Sequence, residues 1–584
     1  MDDRHFLQMY AVCLFALCLC SYARADGKVW HVSQKNLPGI EPAEQVRTVA
    51  EAVSRVGSGD TVIIHNGIYR QRAVIEKSGL PGNPITFLPA AGANVIMTGA
   101  DRITEWTQVQ GKGRICSTHW PYRFVAWNQH GTHPADDYHR LIGRCEQVFI
   151  NGYALHQVLE RDMLTRGSFY SDLDDKRLYV WSYDNQDITG NKAMVEASAR
   201  DQILIVKGDH IIIKGIRFRC AANRAQQGAV EFSGNHLTIV DCVFEYTNSS
   251  GAEFTGEDIT VRRCTFQNNG QLGFGASRAH SLLMTECTVR NNNTKGFNRG
   301  WEAGGNKICL TRGAVIENST FMENRGNGIW FDIGNEACTV RNCLIAFNED
   351  AGIFYEISYG LHAHDNVIVG NGLADTPGAW GASAGISLSS SPNCLIERNL
   401  LLGNKEGFNF REQTRSTPRI EDNKGQPVWN HDEVIRNNVI AYNRDAQTWG
   451  WFDISDDRHW PALGNTGDAD PVREHTMRPK QTARGHSLTG LEKLAITLKD
   501  NLYSAGPGED LFNWGVTWKK HKRYQRLEQV QQELNLEQGS TLAEFVVNDF
   551  SGLDFRVPAD SPAIKMGCYP NGEVPGVKLG TYQP

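Results

Sequence analysis

The sequence predicts an all-β protein, a right-handed parallel β-helix, and two repeated features support this prediction. Across residues 228–443, short strand-like segments recur at intervals of about 22–25 residues, a period typical of a solenoid that stacks one coil per repeat. One position of the repeat is Asn in seven successive segments: Asn269, Asn292, Asn324, Asn348, Asn371, Asn404 and Asn443. Asn tolerates left-handed turn backbone, and its amide can bond the same residue of the next coil. We therefore interpret these Asn residues as structural.

Length and composition agree with a secreted solenoid. A chain of 584 residues is long for one compact domain, but each solenoid unit needs only its neighbours. The net charge is −7 and no long basic block is present, so nucleic acid is not an expected partner. Residues 1–25 have an apolar segment followed by Ala23-Arg24-Ala25, which predicts a signal peptide and a secreted or periplasmic location. No other apolar run is long enough to predict a membrane span.

Two neighbouring repeats within residues 328–358, GIWFDI and GIFYEI, each place a carboxylate at the end of a strand, Asp332 and then Glu356. Because side chains alternate along a strand, Ile329 and Phe331 are expected to face the core while both carboxylates face outward. Aligning the other repeats on these two predicts a column of outward residues: Ser277, Lys307, Asp332, Glu356, Ser389 and Arg411.

The two carboxylates have the arrangement that a retaining glycosidase needs. Neighbouring parallel strands lie about 4.7–4.9 Å apart, which would place the carboxyl groups at about the 5–5.5 Å of retaining enzymes. The predicted proximity of Lys307 favours the charged form of Asp332, which is therefore the candidate nucleophile. Glu356 would feel the like charge of Asp332 beside Phe354, and both effects suit an acid/base.

Other residues near this pair are candidates for binding substrate. Trp330 and Phe354 are expected to stack on a sugar ring, and Arg411 to bind a hydroxyl or a carboxylate. Gly275 and Gly305 are expected to leave space beside the column. The full predicted substrate-binding set is Lys307, Arg411, Trp330, Phe354, Trp301, Glu302 and Glu412, and the segment WGWFDISDD from Trp449 could form a distal wall. A solvated ion-pair ladder is the alternative interpretation of the charged residues.

The motifs GIWFD and FYEIS resemble those of β-helical glycoside hydrolases, in particular glycoside hydrolase family 120, the β-xylosidases. The resemblance implies a retaining mechanism, with Asp332 as nucleophile and Glu356 as acid/base. It also implies a β-sandwich inserted into the early coils, where the repeat lapses in this chain. Fold alone fixes no substrate, so xylose is not carried over. The predicted domains are residues 1–25 (signal peptide), 26–99 (first coils with a capping helix), 100–198 (inserted β-rich domain), 199–455 (main β-helix with the active site) and 456–584 (C-terminal closing segment).

The resulting prediction is a secreted retaining hydrolase of a plant- or algal-type oligo- or polysaccharide. Two alternatives stay open. A polysaccharide lyase or uronate epimerase of the same fold would use Lys307 or Arg411 as base, with Ca²⁺ bound by Asp332 and Glu356. A non-catalytic carbohydrate-binding solenoid would carry the same charges without turnover. No cofactor is predicted, Ca²⁺ enters only with the lyase alternative, and the sequence makes no prediction of oligomeric state.

Overall fold

The structure is a computed structural model, and the residues it describes are 27–109, 111, 113–124, 140–375, 383–412, 415–422, 424–452, 494–516, 521–552 and 554–568. The predicted signal peptide therefore lies outside the described residues. The chain winds into the predicted right-handed parallel β-helix, in which three long sheets form the walls.

Each wall takes one strand from each successive coil, and sheet 3 ends with an added strand, His521–Tyr524, that pairs antiparallel with its neighbour. In order across the sheet, sheet 1 consists of Gln45–Val46, Val29–Val32, Thr61–Ile64, Ile85–Pro89, Ile211–Lys214, Thr238–Val240, Thr260–Arg262, Leu283–Thr285, Val315–Glu317, Glu336–Arg341, Tyr359–His364, Leu395–Glu397, Val434–Arg436 and Thr497–Lys499. Sheet 2 consists of Gly67–Arg70, Val95–Thr98, Ile216–Arg219, Val243–Glu245, Thr265–Gln267, Thr288–Arg290, Thr320–Met322, Leu344–Ala346, Val367–Val369, Leu400–Leu402, Val439–Ala441, Leu502–Ser504 and Thr541–Leu542. Sheet 3 consists of Ala73–Ile75, Leu204–Val206, Gly228–Phe232, Ser250–Glu257, Leu272–His280, Gly304–Cys309, Ile329–Asp332, Ile353–Glu356, Ala384–Ser389, Glu406–Arg411, Ala446–Phe452, Phe512–Val516 and His521–Tyr524.

Rows of equivalent side chains fill the interior. Phe218, Phe244 and Phe266 are opposite one another on successive strands of sheet 2, with stacked rings whose centroids lie 5.3 and 4.7 Å apart. The alternation of side chains leaves the outer face of each sheet free to carry polar groups. The core thus fixes the register of the coils, and the register decides which outer residues become neighbours.

The repeated Asn residues form what we call the asparagine ladder, at the corner between sheets 2 and 3. Its members are Asn269, Asn292, Asn324, Asn348, Asn371, Asn404 and Asn443, all fully buried. Each Nδ2 donates to the Oδ1 of the next member at 2.9–3.1 Å. The left-handed residue of each turn is the one before the ladder Asn, not the Asn itself: Asn268, Asn291, Glu323, Phe347, Gly370, Gly403 and Tyr442.

Helices close the two ends of the coil. The predicted capping helix is Val49–Arg55, in which the Thr48 hydroxyl accepts from the Glu51 N–H and Val49, Ala52 and Val53 are buried. At the other end Leu527–Leu534 packs on the core through three apolar residues. Shorter helices are Arg299–Glu302 and Pro562–Lys565, with 3-10 turns at Pro42–Glu44, Arg140–Gly143, Arg161–Met163 and Thr189–Asn191. In the described part of the chain, the helices are all too short or too polar to cross a bilayer.

A β-rich unit interrupts the early coils. One of its sheets consists of Tyr153–Ala154, Val148–Ile150, Val195–Ser198 and Ala100–Ile103, and the other of His156–Val158, Ser168–Asp172, Arg177–Trp181, Ile115–His119 and Thr107–Gln108. The two sheets share an apolar core that includes Trp106, Trp120 and Phe169. A small hairpin, Arg415–Thr417 with Gln426–Val428, projects from a late coil.

Candidate active site

Asp332 and Glu356 end two adjacent strands of sheet 3. The strands run parallel with Phe331 opposite Tyr355, so the next position on each strand carries a carboxylate. Phe331 and Tyr355 are in the core, and the two carboxylates therefore project from the outer face. Backbones one strand apart lie about 4.8 Å from each other, which brings the two acids within the range of one glycosidic bond.

A similar turn follows each carboxylate and ends its strand. The next residue has positive φ in both coils, 59° and 38°. Asn335 Nδ2 donates to the Asp332 carbonyl at 2.9 Å, and Ser358 Oγ donates to the Glu356 carbonyl at 2.8 Å. The two strands therefore end at equivalent residues, Asp332 and Glu356.

Asp332 is held in an ion pair with Lys307, whose Nζ lies 3.0 Å from Oδ2. The same Nζ donates to the Trp301 carbonyl at 2.9 Å and lies 3.9 Å from the Glu302 carboxylate. Burial alone would lower the pKa of Lys307, but the charges of Asp332 and Glu302 overcome this and raise the pKa above its usual value. Lys307 is therefore a fixed cation. The second oxygen of Asp332, Oδ1, is buried and makes no hydrogen bond with any described residue.

The predicted alignment of Lys307 with Asp332 is wrong by two residues. Cys309 is opposite Asp332, and Lys307 lies one outward position earlier with its Nζ 4.4 Å from the centroid of the Trp330 ring. The helix Arg299–Glu302 precedes this strand and displaces its start relative to the other repeats. A shift of two keeps Lys307 on the outer face, and its long side chain reaches Asp332 diagonally. The outer column is therefore Ser277, Cys309, Asp332, Glu356, Ser389 and Arg411.

Glu356 lies between a carboxylate and two arginines. Arg415 Nη1 donates to its Oε1 at 2.8 Å, and Arg411 ends the second strand beyond it. Burial raises the pKa of Glu356, and the charge of Asp332 raises it further, whereas Arg411 and Arg415 oppose the shift. The net direction is upward, so the protonated acid persists to higher pH than in an ordinary Glu.

Trp330 and Phe354 are not the open sugar platforms that the sequence suggested. Both rings are buried and stack on each other with centroids 5.5 Å apart. The Lys307 ammonium covers Trp330, and the Arg411 guanidinium lies 5.4 Å from the Phe354 centroid. The rings therefore act as a floor that positions two cations. Burial lowers the pKa of Arg411 to about 9, although the charge of Glu356 partly restores it.

The remaining predicted binding residues divide into two groups. Glu302 belongs to the site, because its carboxylate contacts Lys307 and accepts from Gln226 Nε2 at 2.7 Å. Burial raises the pKa of Glu302, and Lys307 opposes the rise. Trp301 contributes its carbonyl to the site while its ring packs in a small apolar cluster. Glu412 is fully buried, and its carboxylate accepts a hydrogen bond from the Asn430 N–H at 3.0 Å.

The two glycines leave no open space. A Cβ on Gly275 would lie 2.3 Å from the carboxylate oxygens of Glu253, which occupies that position. A Cβ on Gly305 would lie 2.1 Å from the Gly328 carbonyl of the next coil. Burial raises the pKa of Glu253 well above its usual value, and the charge of Glu302 adds to this. Gly275 thus admits a fourth acidic side chain, Glu253, near the site.

Sequence reasoning missed Arg415 and Gln226, which contact Glu356 and Glu302. The signal for Arg415 was the spacing of the ladder, because 39 residues separate Asn404 from Asn443, the longest of six intervals, whereas three of the six are 23 or 24. The excess forms the hairpin that carries Arg415. In the aromatic segment, Trp449 and Trp451 continue the outer face of sheet 3, and residues 453–457 lie outside the described ones.

Comparisons with known proteins agree with this architecture. The family described as "Right handed beta helix region" matches residues 175–308 and 228–401. A structure of XylC in complex with xylose is 16% identical, with a TM-score of 0.60 over 84% of this chain and 86% of that chain. The A-module of the mannuronan C-5 epimerase AlgE6 from Azotobacter vinelandii is 11% identical, with a TM-score of 0.43 over 85% of this chain and 93% of that chain. No curated protein matches the sequence.

At 16% identity, the similarity to the XylC structure establishes the fold alone. The fold and the buried acid pair together define a right-handed parallel β-helix protein with a candidate site on the outer face of sheet 3.

Proposed function

We propose that this protein is a retaining glycoside hydrolase in which Asp332 is the nucleophile and Glu356 the acid/base. The observation that carries the proposal is the asymmetry of the two acids. Asp332 is paired with the Lys307 ammonium at 3.0 Å, whereas burial and the neighbouring Asp332 raise the pKa of Glu356. Neighbouring acids with opposite protonation are what double displacement requires.

The chain's own groups supply both steps. In the first, the Asp332 carboxylate attacks the anomeric carbon and Glu356 gives its proton to the leaving oxygen, which breaks the glycosidic bond. In the second, the ionised Glu356 takes a proton from water, the water oxygen attacks the same carbon, and the bond to Asp332 breaks. Lys307 stays paired with Asp332 Oδ2 throughout.

The anomeric configuration of the first product distinguishes a retaining from an inverting mechanism. Substrates would come from a screen of aryl glycosides and plant or algal oligosaccharides, with a hydrolysed one followed by proton NMR from the first minutes. We expect the anomeric configuration of the new reducing end to be retained. Inversion would contradict the double displacement, and glycan binding without turnover by the unaltered protein would favour a non-catalytic solenoid.

One observation favours a second candidate, a uronate lyase. The lowered pKa of Arg411 would help it to act as the base that removes the proton from C5 of a uronate. The Lys307 and Arg415 cations at Asp332 and Glu356 argue against the Ca²⁺ ligands assumed for this alternative, since they compete for the same carboxylates. A lyase would give an unsaturated product that absorbs in the ultraviolet, and a Ca²⁺ requirement would appear as loss of activity in EDTA.

A further inference from the structure

A cavity of about 570 Å³ lies outside the acid pair and is lined by four arginines: Arg72, Arg123, Arg200 and Arg224. Three of them come from successive coils, each from the segment just before a strand of sheet 3, and Arg123 comes from the inserted β-rich unit. We call this cavity the arginine pocket. Guanidinium groups that converge from four separate segments form a site for an anion.

The arginine pocket keeps an unbalanced positive charge. Arg200 pairs with Asp101 at 2.8 Å, and Arg72 lies 3.7 Å from Asp201. Among the residues that the structure describes, Arg123 and Arg224 form no ion pair, and both side chains are exposed. Two guanidinium groups are therefore available to a ligand, and each can present two parallel N–H donors to a carboxylate or a sulfate.

One turn joins the arginine pocket to the candidate active site. Arg224 and Gln227 line the pocket, and Gln226 between them donates to Glu302, whose carboxylate contacts Lys307. On sheet 3 the strand after this turn lies four strand spacings from the strand of Asp332, which is about 19 Å. An oligosaccharide chain running along the coil axis would cover this spacing between the two strands.

We propose that the arginine pocket binds the carboxylate or sulfate of an acidic sugar unit in the saccharide whose linkage lies at Asp332 and Glu356. This proposal rests on the proposed glycosidase function and adds the substrate class, an acidic oligosaccharide. The acidic unit would bind several units away from the bond that is cleaved, so the pocket would contribute to affinity and to the choice of chain rather than to the chemical step.

The test measures binding without turnover, by calorimetry on the full-length Asp332→Asn protein. Three pairs of probes are compared: oligogalacturonates and their methyl esters, alginate oligomers and their methyl esters, and sulfated galactan oligomers before and after desulfation. In at least one pair we expect the acidic form to bind about 10- to 100-fold more tightly, with an advantage that falls as salt rises. Equal affinity within every pair, including no binding, would overturn the proposal.

Arginine variants test whether the preference for the acidic form comes from the arginine pocket. Arg123→Gln with Arg224→Gln should remove the preference for the acidic form and leave the neutral form unchanged, and each single change should remove part of it. Arg262→Gln, an exposed arginine on sheet 1, is the matched control and should keep the preference. A preference that survives the double change would contradict the pocket, as would free galacturonate or inorganic sulfate binding as tightly as the oligomer.

The two proposals fail in different experiments. Retention of configuration on a neutral glycan, with no acidic preference in any pair, would remove only the pocket. An acidic preference that depends on Arg123 and Arg224, together with inversion or elimination in the NMR experiment, would remove only the retaining mechanism.

Discussion

Two stacks of side chains, each with one residue per coil, run along this protein. Both have the spacing of the coils, but one forms hydrogen bonds between coils and the other forms the candidate site. In the asparagine ladder every member is an Asn, and each amide bonds the next member at 2.9–3.1 Å. In the outer column the members differ, and Asp332 and Glu356 place two acids side by side. There Asp332 Oδ1 and Ser389 Oγ are buried without a hydrogen bond to any described residue.

The difference shows how a repetitive fold separates stability from chemistry. A buried polar group costs little when its partner is the same residue one coil away, so the asparagine ladder adds cohesion with every turn. Like charges in register repel, and Asp332 beside Glu356 is tolerated only because Lys307 and Arg415 neutralise the pair from either side. Changes in the ladder should therefore affect folding, and changes in the column should affect turnover.

Asp332→Asn should have the largest effect. It removes the attacking carboxylate but keeps the shape, so we expect kcat to fall about 10⁴-fold or more while the melting temperature stays near that of the unaltered protein. Initial rates on an aryl glycoside and a thermal melt measure the two quantities. Asp365→Asn, which changes an ion-paired carboxylate outside the site, is the control and should keep its activity. Near-normal turnover by Asp332→Asn would show that Asp332 is not the nucleophile.

Glu356→Ala should have the next largest effect, about 10²- to 10⁴-fold on kcat, because general acid catalysis is lost. Substrates with a good leaving group should suffer less in the first step. Azide, which needs no general base, should then restore turnover in this variant more than in Asp332→Ala and form a glycosyl azide of retained configuration. The reverse response would exchange the roles of the two acids.

Asn348→Ala tests the other stack. The change leaves the backbone N–H and the Nδ2 of Asn324 without the Asn348 Oδ1 as acceptor, and the Oδ1 of Asn371 keeps only the backbone N–H of residue 348 as donor. We expect the free energy of unfolding to fall by about 3 kcal/mol, with kcat of the folded protein nearly unchanged. Urea titration and rates at low temperature separate the two. A large loss of kcat at unchanged stability would mean that the ladder acts in catalysis.

The two stacks were also predictable to different degrees. Identical residues at a regular period reveal the ladder directly, and the GIWFD and GIFYE strands reveal the acid pair. Lys307 was placed on the correct face but two residues out of register, because the helix before its strand lengthens that coil. A shift of two residues leaves each side chain on the same face of the strand, so the predicted face was correct. The same shift changes which residues of neighbouring coils are opposite each other, so the predicted alignment was not.

Contacts made by long excursions could not be predicted. Arg415 reaches Glu356 only through the folding of a hairpin whose position the repeat does not encode. The arginine pocket combines three coils with the inserted unit, so its members are scattered across the sequence from Arg72 to Arg224. Burial of Trp330 and Phe354 likewise depends on the cations above them, which local sequence does not show.

Arg415→Gln should have the smallest effect and the most informative sign. Arg415 favours the charged form of Glu356, so its removal should raise the pKa of that acid further. The first step needs the protonated acid, and the basic limb of the pH–rate profile should therefore move to higher pH, by about one unit. Arg419→Gln, which breaks an ion pair with Glu336 in the same excursion, should leave the limb in place.

The stability of Arg415→Gln should decrease as pH rises. A carboxyl whose pKa is raised on folding contributes stability that is complete below its unfolded pKa and is lost as pH rises through the folded value. Without Arg415, ionising the buried Glu356 costs more, so the melting temperature should fall more steeply than in the unaltered protein as pH rises above the ordinary pKa of a Glu. A basic limb that moves to lower pH, or a melting temperature that rises with pH, would show that Glu356 is not the group that titrates.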